Sequence, residues 1–115
     1  MSAPTMYRAG QPPRPLDAEQ LAGLRRELEQ ELHRLIPDAR RAGNARFRSE
    51  LAQALSPRPR SHALQLIDAL RRMDAGVFGL CAGCQGTIAY ARLSAIPETT
   101  VCAECSWSRE LSFRR

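Results

Sequence analysis

Four cysteines carry the chemistry of this 115-residue chain: Cys81 and Cys84, then Cys102 and Cys105. They form two Cys-x-x-Cys pairs with 17 residues between them. That is the spacing of a four-cysteine zinc site. Each pair lets two thiolates converge on one side of a tight turn, and two such turns place four sulfurs at the corners of a tetrahedron. Gly83 relieves the first turn of a Cβ clash, and Gly86 can do the same just after it. Two disulfides would need an oxidising compartment, which nothing here suggests. A thioredoxin-like redox pair needs one Cys-x-x-Cys beside a βαβ pattern. Four cysteine ligands close the coordination sphere of one Zn²⁺ and leave no position for water or substrate. The expectation is a structural zinc and no enzyme.

The other candidate groups are less specific. His33 falls off the leucine stripe of its helix, and His62 beside Ser61 reads as part of a helix start. Neither has a nucleophile or carboxylate arrangement suited to catalysis. Glu27, Glu29 and Glu31 are spaced by two, which puts them on different helix faces, so they read as solvated.

Two elements must position the cysteines. Asp17 with Gln20 is a capping-box variant, and Leu16 and Leu21 occupy the positions of a hydrophobic staple. Leu21, Leu24, Leu28, Leu32 and Leu35 then recur at helical spacing, which predicts a helix over 17–36. Its narrow seam with charges alongside has the look of a coiled-coil hairpin arm. Pro37 stops it at Ile36. Pro37, Gly43 and Asn44 mark a turn, the expected tip near 37–44. Asn44 can cap a second helix to Leu55, with Phe47, Leu51, Ala54 and Leu55 as its stripe. Pro57 and Pro59 then break the return arm. Ser56 with Pro57 at the first helical position, or Ser61, starts a third segment. It carries Ala63, Leu64, Ile67, Leu70, Met73 and Val77 and ends near Gly76.

The fold class is thus mainly α: an α-helical coiled-coil hairpin over 16–76, joined to a small four-cysteine zinc-finger module over 77–115. Pro4, Pro12, Pro13 and Pro15 make residues 1–15 a flexible tail. Ile88, Tyr90 and Val101 have strand character and predict a short ribbon over 88–101. Trp107 and Leu111 are expected to cover the zinc module or the helix base.

Aromatics are only 5% of the chain, so aliphatic side chains must form the core. No apolar run approaches the ~20 residues needed to span a bilayer, and the N-terminus has no hydrophobic signal core. A cytoplasmic protein with reduced cysteines is expected. The net charge is +5, all 17 basic residues being Arg; a zinc ion with four thiolates reduces it to about +3. That is a weak argument for nucleic acid. Direct binding to nucleic acid through arginines is the alternative function, disfavoured because no basic and aromatic stacking surface is visible in sequence.

The stretch Arg72-Met73-Asp74-Ala75-Gly76-Val77-Phe78-Gly79-Leu80-Cys81, with Cys84, Ile88, Arg92-Leu93, Ala95, Pro97, Cys102, Cys105 and Glu110, resembles the DksA/TraR zinc-finger family. The likeness covers about residues 64–110. It implies a zinc domain carrying a helical hairpin that enters the secondary channel of bacterial RNA polymerase and modulates transcription initiation. The family often acts together with guanosine tetraphosphate, a candidate ligand of the complex. It also implies a hairpin tip, here Asp38, Arg40, Arg41 and Asn44, as the partner contact of a monomer. There are two departures. Gln85 stands where the family usually has Gly. Where longer members carry Asp-x-x-Asp-x-Ala, Asp38 takes the first position, but Arg41 and Gly43 replace the rest, so an acidic tip has become mostly basic. A diverged adaptor with another protein partner is the variant of this reading.

Overall fold

The computed structural model describes residues 14–41 and 43–113, with side chains as far as 108. The expected tail over 1–15 therefore lies almost wholly outside the described residues. Asp17 opens the first helix, α1 (Ala18–Leu35), through a complete capping box. The Gln20 amide donates to the Asp17 carboxylate at 2.7 Å, and the Asp17 amide donates to the Gln20 side chain at 3.2 Å. These bonds satisfy amides that the helix cannot pair itself. Leu24, Leu28 and Leu32 are buried, with Leu16, Leu21 and Leu35 packed at their margins. Each buried leucine contributes roughly 1.5–3 kcal/mol by leaving water. The helix stops at Leu35, because the ring of Pro37 holds Ile36 out of the helical region.

Pro37–Arg40 forms one 3-10 turn with Ala39 buried inside it. Asn44 caps α2 (Ala45–Ala52), accepting from the Phe47 amide at 2.7 Å. α2 ends at Ala52, short of the expected Leu55, as the Ala54 and Leu55 amides tighten onto Leu51 and Ala52. Ser56 is the cap residue of α3 (Pro57–Asp74), and Ser61 lies inside that helix. Pro57 and Pro59 both sit in the first turn, where no amide donor is required. At the far end Gly76, with φ +77, turns the chain out of the helix.

Arg25 meets Asp74 at 2.8 Å and Glu31 meets His62 at 3.1 Å, so α1 and α3 run antiparallel. α2 does not extend an arm. It folds back along α3, and Arg48 ties it to α1 with two bonds to Glu29, of 3.0 and 3.1 Å. The prolines thus make a corner between two packed helices. Three expected core positions are outside it: Phe47 is 51% exposed, Val77 42%, and Ala54 is exposed as well. Leu66 and Ala69, absent from the expected stripe, are buried instead.

The expected ribbon over 88–101 is not formed. The described residues contain no strand, only a single bridge between Leu80 and Thr87. Tyr90–Ala95 is a short helix, α4, and Ala103–Phe113 another, α5. Ala91, Leu93 and Ala95 favour helix, and strand character in Ile88 and Val101 does not extend between them. Ile88 and Leu93 are fully buried and join the helical core. No described helix is long and apolar enough to cross a membrane.

Candidate metal centre

The bridge between Leu80 and Thr87 and the bond from the Ile88 amide to the Gly79 carbonyl, 2.7 Å, close a loop around the first cysteine pair. Within it the Cys81 amide donates to the Gly86 carbonyl at 2.8 Å, and the Gln85 amide to the Cys81 carbonyl at 2.8 Å. Gln85 completes the turn with φ +65, a left-handed conformation that favours glycine. The second pair is built differently. Cys102 precedes α5, Cys105 lies in its first turn, and the Cys105 amide points at the Cys102 sulfur at 3.4 Å. A bond of 2.7 Å from the Ala82 amide to the Thr100 carbonyl joins the two halves. Arg92 of α4 donates to the Val101 carbonyl at 2.8 Å and steadies the approach to Cys102.

These elements bring all four Sγ atoms within 4.8 Å of one another. Cys84 and Cys102 sulfurs stand 3.9 Å apart, against about 3.8 Å between corners of a tetrahedron with Zn–S bonds of about 2.3 Å. Gly83 is needed for a reason the sequence did not show. A Cβ there would lie 3.0 Å from the Cys105 sulfur, so the constraint is the approach of the two turns, not a clash within one. Gly86 has no such constraint, since its nearest neighbour would be the Cys84 sulfur at 3.5 Å.

The electrostatics of the bare thiols point to a cation. Burial pushes the Cys81 thiol up, but amides of Cys102, Cys84 and Gly83 outweigh it and bring it down to about 6. Hydrogen bonding to the Cys81 and Cys102 sulfurs, with burial adding to it, pushes the Cys105 thiol up to about 12. Cys84 is raised by the same two sulfurs against the pull of the Gly86 amide. One site cannot hold four thiolates unaided; a bound cation removes the conflict and releases the protons. The donor set is all sulfur, which suits Zn²⁺.

The expected tip residues lie at the corner between α1 and α2. Asp38 and Arg40 are in the 3-10 turn, Arg41 follows it, and all are exposed. Asn44 is exposed too, but its side chain is committed to the α2 cap. Glu27 is exposed, but His33, Glu29 and Glu31 are not simply solvated. His33 lies 3.1 Å from Glu29, and His62 lies between Glu31, at 3.1 Å, and Glu98 in the loop before Cys102, at 3.6 Å. Glu29 and His33 stand four apart on one helix, a spacing that pairs them; no spacing rule could have paired His62 with Glu31 or Glu98.

Residues 76–106 match the family described as the prokaryotic dksA/traR C4-type zinc finger. The structure is similar to that of the RNA polymerase binding protein and transcriptional regulator Dks from Chlamydia trachomatis. The TM-score is 0.59 and the identity 21%, covering 86% of this chain and 96% of that chain. Among curated proteins, none matches. The segment that holds the four cysteines thus matches a C4-type zinc finger of the DksA/TraR kind, as the sequence resemblance implied. The likeness to Dks extends to the fold of the helices.

Proposed function

We propose that this protein is a DksA-like transcription regulator that binds bacterial RNA polymerase, and that it does so without catalysis of its own. The observation that carries this reading is the combination of the C4 zinc finger with a helical unit whose fold is shared with Dks over most of both chains. Cys81, Cys84, Cys102 and Cys105 hold one structural Zn²⁺. The zinc module, residues 77–115, anchors the base of the helical unit, residues 16–76. The opposite end, with Asp38, Arg40, Arg41 and Asn44, enters the secondary channel as a monomer and alters initiation in the cytoplasm. Guanosine tetraphosphate is the candidate co-effector of the complex.

The test is direct binding of the zinc-loaded protein to purified bacterial RNA polymerase by native mass spectrometry. A 1:1 complex at micromolar protein is expected, together with a changed yield of initiated transcript in vitro. Absence of the complex at that concentration overturns the reading.

A further inference from the structure

We infer that the corner between α1 and α2 docks on a compact acidic site of a protein partner, with Phe47 as its apolar anchor. The inference rests on the reading above that this end meets the polymerase, and it specifies the chemistry of the meeting. Phe47 occupies the first turn of α2 and is 51% exposed. About half of the ring is thus left in water, apolar area that a partner surface can bury. Arg46 beside it has a side chain 93% exposed and, among the described residues, reaches only Glu50, at 4.0 Å. Arg40 and Arg41 are exposed in the preceding turn, with no carboxylate in ion-pair distance among the described residues. Three guanidiniums and one ring thus share the stretch 40–47. Arginine and large rings are residue types that dominate binding energy at interface centres.

The turn before the patch and the start of α2 are tied down. Arg48 bonds both Glu29 of α1 and, at 3.2 Å, the carbonyl of Ala39 in the 3-10 turn. The Asn44 cap fixes the start of α2. Binding then costs little ordering of the backbone.

The charge pattern favours a protein over a nucleic-acid strand. Asp38 precedes the arginines and Glu50 follows Phe47. A strand carries a phosphate at every nucleotide and needs a continuous basic groove; here it would run past one of these carboxylates. A discrete carboxylate cluster around an apolar seat meets only the arginines and the ring.

The experiment measures the affinity of full-length, zinc-loaded protein for purified RNA polymerase at two salt concentrations, and for a single-stranded RNA oligonucleotide. Arg40→Glu/Arg41→Glu and Phe47→Ser are compared with Arg26→Glu, an exposed arginine on α1. Circular dichroism establishes that each variant is folded. Expected is a loss of tenfold or more in polymerase affinity for the two corner variants, none for Arg26→Glu, and weaker wild-type binding at higher salt. Unchanged affinity of both corner variants overturns the inference and leaves polymerase binding standing. Absence of wild-type binding overturns the functional reading and this inference with it. RNA affinity that falls with the charge reversal while polymerase affinity does not also overturns it, in favour of a nucleic-acid surface.

Discussion

Gln85 holds φ +65 directly after the second cysteine, where a side chain is strained. The left-handed region costs a non-glycine residue on the order of 1 kcal/mol, part of which glycine returns through its freer unfolded state. Gln85→Gly is expected to stabilise the zinc module by up to about 1 kcal/mol. The readout is the urea midpoint of the zinc-loaded protein; a lower midpoint would mean that the Gln85 side chain makes compensating bonds. Glu31 offers a second residue-level prediction. Arg34 holds its carboxyl below the usual 4.5, against partial burial and with help from His62. A group lowered in the folded state contributes fully above its unfolded value, and the contribution fades as pH falls through the folded one. Glu31→Gln should therefore lower stability at neutral pH, and the gap to wild type should close only below about pH 4.5. Zinc loss in acid affects both proteins, so the difference between parallel titrations isolates Glu31. A gap that stays constant down to pH 3 removes the pairing from the account.

At the scale of the element, α2 is the piece least supported by its own sequence. It has eight residues, too few to be stable alone. Its cap and the Arg48–Glu29 pair hold it in place. Asn44→Ala is expected to cost about 1 kcal/mol in thermal unfolding, and a negligible change would mean that packing on α3 alone defines the helix. α1 and α3 were legible because period, caps and proline stops agree at Asp17, Ile36 and Ser56. The return of α2 onto α3 was not, since Pro57 and Pro59 say that the chain turns but not through what angle. Phe47 misled the pattern reading for a related reason: its spacing fits a buried stripe, and only the three-dimensional packing shows that α2 buries Ala52 and keeps Leu51 of its expected stripe against the core. The ribbon expected over 88–101 failed because short apolar runs carry no reliable period. The cysteine cluster needed only its spacing, whereas the approach of Gly83 to Cys105 across the two turns needed the fold.

At the scale of the whole molecule, the zinc module is not an appendage. Ile88 and Leu93 enter the same core as the leucines of α1, and His62 of α3 touches both Glu31 of α1 and Glu98 of the module. Cys81→Ser is expected to abolish stoichiometric zinc, unfold the segment after Gly76 and lower the stability of the helices, which remain partly formed. Zinc content by plasma emission and helicity by circular dichroism measure the two effects. Stoichiometric zinc in the variant would show that the ion is held elsewhere.

Trp107 is the single tryptophan of the chain, and it stands 60% exposed on α5, two positions beyond Cys105. The core beneath α1 and α3 contains no indole. Intrinsic emission of this protein is therefore a local signal: it follows the ordering of α5 by the metal and any surface that comes to cover it. A fluorescence titration and a helicity measurement on one sample would separate the surroundings of α5 from the helical content of the whole chain, with no label attached.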